Sequence, residues 1–567
     1  MAFLITEPES IAAVAANVER IGSAINAAKA AAAGPTSGVL APAADEVSAA
    51  VTKVFGMCSM EYQAAVAQAG LFHSEFVQAL SAAGGAYAAA ETAASNALGG
   101  AGATGPGPTA MTMVADPAVD VALVIGGSGN PIPSPAYING VLNWAAKGGF
   151  TWGSVQAIFT PEGLYPLTGV RSLPLDTSVS QGVQILDAAI QQQLAMGNTV
   201  LVQSYSQSSI IASLEMRQLL ASPNPPTGTQ LYFNLLADPM NPNGGLLERF
   251  AGLVLPSLGL DFYGATPANT PWTTNIFSLE YDGFADFPQY PIDFLADANA
   301  VAGIAFVHPT YPKINPSTIP FVQLPVDPTY TGHTTYYMGM TANLPLLDPL
   351  RYVPVVGNPL ADLLQPDLTY LVNWGYGNPA YGYSTGPANV PTPFGLFPPL
   401  SATTVLPGDL ITGAQQGISA ATSDFMAEGA SGLFVPSIPQ SPSPISLPSP
   451  TTLLSPASIG GFVQSLVTTD TNVVDAFSRA ASDGYSVLLP TADILNAAVG
   501  AIPVYDFNLF LNGIAQAAGG DPVGLINAIG GPLAASTGLI TVAGGVEGLV
   551  VLGAAVDATK ALTSLIP

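Results

Sequence analysis

The chain has 567 residues; 49% are apolar and 8% are charged, against about 25% charged in an average soluble protein. Lys and Arg number 11 and Asp and Glu 37, a formal net charge of -26, so no basic stripe exists for nucleic-acid phosphates or an anionic membrane surface. One cysteine, Cys58, excludes an intramolecular disulfide and a cysteine-based zinc site, and three histidines, His73, His308 and His333, are too few for a His-rich metal cluster.

The opening MAFLITEPES has no basic n-region and predicts no cleaved signal peptide. Residues 1–98 read as an all-α helical hairpin. Thr6 and Glu9 form a capping-box pattern, and Ile11, Val14, Val18, Ile21 and Ile25 make one apolar seam. Gly34 and Pro35 end this helix, and a second begins near Asp45 with Val47, Val51, Val54 and Cys58 on one face. Two helices bury little alone, so the seam calls for a partner. Residues 99–117 are small, Pro-containing linker.

From residue 118 the period changes. Val119 to Ile125 predicts a buried strand ending in Gly126-Gly127-Ser128-Gly129. Strands at 198–204, 230–236 and 274–280 alternate with helices at 183–196, 208–221 and 294–306. That alternation predicts an α/β domain over 118–400 with a mainly parallel sheet and its site at the strands' carboxyl ends. The aromatic and Pro-rich stretch 309–400 reads as a lid or substrate wall. Residues 401–456 read as a Pro/Ser-rich linker, and 457–567 as an Ala/Gly-rich segment to which no chemistry is assigned. Within it Leu539 to Val556 is the most lipid-like stretch, but Glu547 and its glycines favour a buried or surface-associated helix over a membrane span.

The strand before Ser204-Tyr205-Ser206-Gln207-Ser208 and the helix after it form the context of a nucleophile elbow. Glycine usually flanks such a nucleophile two residues away on each side; here both places are serine. The competing reading is a helix N-cap by one of these serines. A nucleophilic serine needs a base, and His308 follows a predicted helix about 100 residues downstream. His333 is the second choice, and His73 lies in the hairpin. An acid must orient the base: Asp286 is preferred, Asp282 is the alternative, and Asp238 is weaker. The chain order Ser, Asp, His is that of α/β-hydrolases. The backbone N–H of Gln207 and the Ser128 loop would form the oxyanion hole. The glycine loop lacks the Lys-Ser/Thr of a phosphate-binding loop and the third glycine of a dinucleotide fingerprint. No metal or organic cofactor is needed.

At this point the sequence resembles a mycobacterial family. Pro8-Glu9 in the Ala-rich hairpin looks like a PE domain, and Tyr87-Ala88-Ala89-Ala90-Glu91 matches the Y-x-x-x-D/E element of type VII secretion. Tyr205-Ser206-Gln207-Ser208, Asn241-Pro242-Asn243-Gly244-Gly245, Tyr281-Asp282-Gly283 and Val307-His308-Pro309 resemble the PE-PPE domain, a serine α/β-hydrolase of the cutinase/lipase kind. The resemblance implies export through an ESX system by way of Tyr87 and Glu91, a secreted, cell-wall or surface location, and pairing of the hairpin with a PPE protein. It also implies esterase activity on acyl esters with Ser206 as nucleophile. The chain departs from the pattern at Ser204, where the family has glycine. Alternatives are acyl transfer to an envelope sugar or lipid with the same triad, and a non-catalytic surface protein.

Overall fold

The computed structural model describes residues 118–354, 356–430, 475–476 and 478–563. The hairpin 1–98 with Cys58, His73, Tyr87 and Glu91, the linker 99–117 and the stretch 431–456 lie outside the described residues.

The short apolar runs form the centre of a seven-stranded sheet. Its strands are β1 (Ala118–Ile125), β2 (Thr151–Ile158), β3 (Val200–Tyr205), β4 (Leu231–Leu236), β7 (Thr274–Leu279), β8 (Phe321–Gln323) and β9 (Thr334–Gly339), in the order β2-β1-β3-β4-β7-β9-β8. All neighbours are parallel except β8 and β9. A separate antiparallel pair joins β5 (Val254–Leu255) to β6 (Leu260–Asp261). Every residue of β3 and β7 is buried, which is why these strands show no apolar alternation: both faces are covered.

Helices α1 (Pro135–Lys147), α2 (Leu175–Ala195), α3 (Gln207–Ala221) and α4 (Phe294–Phe306) supply the covering layers. On one face Leu186, Ile190, Ile211 and Met216 pack with Val202 and Phe233. On the other Trp144, Phe150 and Tyr311 pack with Ala122 and Phe277. Fully buried Trp144 donates its ring N–H to the Tyr311 carbonyl at 2.9 Å, which satisfies its one polar atom.

The strand order fixes where a ligand can sit. The chain leaves β1 for β2 on one side and β3 for β4 on the other, so the loops after β1 and β3 diverge. Such a switch point opens a crevice at the carboxyl edge. Among the described residues, four non-glycine residues have positive φ: Glu162, Ser206, Ala237 and Tyr281. Each follows one of the strands β2, β3, β4 and β7 within a few residues, so backbone strain is concentrated on this edge.

Residues 309–400 differ from the expected lid. They contribute β8, β9 and α5 (Gly357–Trp374), because Thr334–Gly339 is β-branched and aromatic enough to pair along the whole of β7. The stretch from 401 also departs from a linker: α6 (Leu400–Ala430) is helical and packs on α5. Its glycines permit the approach; a Cβ at Gly417 would lie 2.1 Å from the Leu363 carbonyl oxygen. Beyond it come α7 (Leu488–Asn496), α8 (Ile502–Ala518) and α9 (Val523–Thr563). The helical stretches Ser478–Ala518 and Val523–Ala561 are long and apolar enough to cross a membrane by length and composition. Here one face lies on the α/β unit, with Ile494, Ala497, Ile502, Ala535 and Leu539 buried in the same core as β3 and α3. Glu547 accepts a hydrogen bond from the Thr491 hydroxyl at 2.6 Å, tying α9 to α7.

Candidate active site

Ser206 stands between β3 and α3 with φ 61 and ψ -120. For a residue with a Cβ this backbone costs about 1–3 kcal/mol and is held by its surroundings. The turn is pinned on both sides. The Ser206 N–H donates to the Leu236 carbonyl at 2.9 Å, and the Tyr205 N–H donates to the Ser208 hydroxyl at 2.8 Å. Ser206 occupies the N-cap position of α3, yet its side chain makes no cap hydrogen bond. Its Oγ lies 2.7 Å from His308 Nε2 instead.

Of the two serines that replace the usual glycines, Ser208 bonds the Tyr205 backbone. Ser204 is fully buried, with its Oγ 3.1 Å from Ser209 Oγ, and Ser209 in turn donates to the Leu236 carbonyl at 2.9 Å. The Ser204 hydroxyl thus pairs with Ser209 and not with Ser206.

His308 begins a short 3-10 turn directly after α4. Its Nδ1 lies 2.8 Å from Asp282 Oδ1 and 2.9 Å from Oδ2. A carboxylate only accepts, so Nδ1 donates, and the Nε2 lone pair faces the serine hydroxyl. The ring is wedged between aromatics: Tyr205 stacks at 5.4 Å and Phe284 meets it edge-on at 4.8 Å. The Tyr205 hydroxyl donates to the His308 carbonyl at 2.6 Å. Neither Tyr205 nor Phe284 carries a sequence signal for this wedging role beyond position, one residue from Ser206 and two from Asp282.

Asp282, rather than the preferred Asp286, faces the histidine. The reason lies in the turn after β7. Tyr281 adopts φ 65, and the Asp286 carboxylate accepts its N–H at 3.0 Å. Asp286 is thereby turned back beneath the loop, and burial pushes its carboxyl pKa well above the usual range. The segment 241–246 clasps the same turn: the Leu246 N–H donates to the Phe284 carbonyl and the Phe287 N–H to the Gly244 carbonyl. Gly303 of α4 lies so close that a Cβ would meet the Tyr281 carbonyl oxygen at 1.8 Å.

Ser128, after β1, donates its hydroxyl to Gln207 Oε1 at 2.9 Å, and the Gln207 amide donates to Ser178 at 2.6 Å. The glycine loop is thus tied to the first residue of α3. The Ser128 hydroxyl has one proton and gives it to Gln207, so any oxyanion donor from this loop is a backbone N–H. Glu162 anchors the loop through its carbonyl, which accepts from the Gly129 N–H at 2.7 Å. Its buried carboxyl is pushed up to about 8 by desolvation.

The remaining candidates lie elsewhere. His333 precedes β9 and its carbonyl accepts from the Thr274 N–H, which puts it at the amino edge of the sheet. Asp238 is fully buried, accepts from the Met240 N–H and the Thr266 hydroxyl, and is raised to about 7 by desolvation. It holds the β4 turn and has no hydrogen bond to His308.

Comparison with known proteins identifies the family. A PE family model matches residues 4–94 and a PE-PPE domain model residues 153–377. A Mycobacterium tuberculosis protein named PE family protein PE3 is 42% identical over 423 residues, 74% of this chain and 88% of that protein. This chain belongs to the PE family. The PE protein is also 42% identical over 403 residues to a M. tuberculosis protein named Esterase PE16, covering 70% of this chain and 73% of that one. A M. tuberculosis protein named Uncharacterized PPE family protein PPE28 is 46% identical over 462 residues, 81% of this chain and 69% of that one. No solved structure matches the PE protein.

Proposed function

We propose that this PE protein is a serine ester hydrolase of the esterase/lipase kind, with Ser206, His308 and Asp282 as its catalytic residues. The observation that carries this reading is the continuous hydrogen-bond line from Asp282 through both nitrogens of His308 to a strained Ser206. The likeness to a protein named Esterase PE16 supports the reaction class.

Ser206 Oγ attacks the ester carbonyl carbon while His308 Nε2 takes the hydroxyl proton. Asp282 holds the tautomer and stabilises the imidazolium. The oxyanion forms against the backbone N–H of Gln207, at the positive end of α3, and against the loop at Ser128. As the C–O bond breaks, His308 returns its proton to the leaving alcohol. Water then attacks the acyl-enzyme, giving its proton to His308, and release of the carboxylic acid restores Ser206. The cavity at Ser206 is lined mainly by Leu, Ile, Val, Phe and Pro side chains, which suits an apolar acyl group.

Family membership supports export to the cell wall or surface by type VII secretion, with the 1–98 hairpin pairing with a PPE protein and Tyr87 and Glu91 as the export motif. Cell fractionation of a Tyr87→Ala variant tests this; export at the wild-type level would oppose it. The chemistry is tested by turnover of nitrophenyl esters by the full chain and by its Ser206→Ala variant, both checked for folding. Turnover vanishes in the variant; unchanged turnover would remove Ser206 from the role.

A further inference from the structure

Two of the walls of the cavity beside Ser206 come from distant parts of the sequence, and residues 164–167 add to the lining. One side is Leu246, Leu247, Leu255, Leu258 and Phe262, from the chain between β4 and β7. The other is Ile494 and Ala497 at α7, Ile502 at the start of α8, and Leu539, Val542 and Val546 of α9. The last three, with Ala543, recur at helical spacing as one stripe. The matched PE-PPE segment ends at residue 377, so this second wall lies wholly outside it.

The wall is seated by specific contacts. The Tyr165 hydroxyl donates to Asp493 Oδ2 at 2.6 Å, and the Ser257 hydroxyl to the Asp493 carbonyl at 2.8 Å. Gly538 and Gly545 bring α9 close: Cβ atoms there would meet Pro291 at 2.8 Å and Val301 at 2.2 Å. Leu539 is 4% exposed, while its neighbour Ile540, facing away, is 54% exposed. Three polar residues of the lining, Ser206, Gln207 and Ser128, lie together, Ser128 bonded to Gln207; Tyr165 also lines the cavity, and its hydroxyl is held by Asp493.

We infer that residues 494–546 are the acyl-binding half of the active site, roofing a channel that takes the long hydrocarbon chain of a fatty-acyl ester with its carboxyl carbon at Ser206. This deepens the proposed function and rests on it. A long chain is the ligand that uses both walls. Each methylene moved from water to such a wall strengthens binding by about fourfold, so kcat/KM rises with acyl length until the channel is filled.

The test uses the full chain and a long-chain alkyl fluorophosphonate carrying a diazirine at the far end of its alkyl tail. The probe labels Ser206, light fixes the tail, and peptide mass spectrometry locates it. Cross-links within 494–546 are expected. Labelled Ser206 with cross-links confined to residues 118–430 would overturn the roof and leave the hydrolase intact. A folded protein with unlabelled Ser206 would overturn the hydrolase reading, and the channel with it. An independent measurement is the ratio of kcat/KM for a palmitoyl over a butyryl ester. It falls by about tenfold or more in Ala543→Trp, which fills the wall, and holds in Ile540→Trp on the outer face. An equal fall in both variants, or none in Ala543→Trp, contradicts the inference.

Discussion

The carboxylate of Asp282 straddles His308 Nδ1, with its oxygens at 2.8 and 2.9 Å, whereas Asp286, four residues on, holds the N–H of Tyr281. The two aspartates therefore answer differently to the same substitution. Asp282→Asn cannot fix the imidazole tautomer and lowers kcat by about 10³–10⁴-fold. Asp286 is buried with its pKa raised well above the usual range, so Asp286→Asn is close to isosteric with its neutral form and lowers kcat less than about tenfold. Steady-state kinetics of both variants check this; a larger loss at Asp286 would reverse the assignment.

Ser204→Gly restores the family's usual residue at the elbow. The hydroxyl lost is paired with Ser209 and not with Ser206, so kcat stays within about threefold of wild type. Stability falls by about 1 kcal/mol, the net worth of one buried hydrogen bond. Denaturant unfolding and kinetics on one preparation measure both. A large gain in kcat would mean that Ser204 does crowd the turn.

Gly303→Ala places a methyl where the Tyr281 carbonyl oxygen now lies, 1.8 Å from the ideal Cβ. Helix α4 must shift away from the Asp282 turn, and His308 follows α4 directly. A displacement near 1 Å costs about 10²-fold in rate. The expected result is a folded protein with kcat reduced by about that factor; unchanged kcat would show that the helix does not position the base.

Buried carboxyls set the pH dependence of stability. Glu162 is raised from 4.5 to about 8 and Asp238 from 3.8 to about 7, both by desolvation. The unfolded chain releases these protons near pH 4, while the folded chain keeps them to pH 7 or 8. Their contribution to stability is therefore complete below the unfolded values and is lost as pH rises through the folded ones. Thermal unfolding temperature falls between pH 5 and pH 8.5, and Glu162→Gln flattens part of the fall. A rise across that window would contradict the assignment.

The central strands were legible because their residues are buried on both faces and carry apolar runs, as in the VALVI of residues 121–125. Helix Phe294–Phe306 was readable to its ends. By contrast β2, TWGSVQAI, is a half-exposed edge strand of mixed polarity, and its local pattern is weak. Ser206 and His308 could be singled out because histidines are scarce and the strand–turn–helix context is distinctive. Choosing between Asp282 and Asp286 needed the positive φ of Tyr281, which a tyrosine does not announce. The wall from α7, α8 and α9 was illegible because apolar residues at helical spacing look alike whether they line a core or a substrate channel.

Intact-mass and peptide analysis of the full chain after reaction with an active-serine fluorophosphonate tests the central claim most directly. One adduct on Ser206, lost when His308 is changed to Ala in a folded protein, is the predicted result. A folded wild-type chain that takes up no label, or takes it elsewhere, would contradict the account.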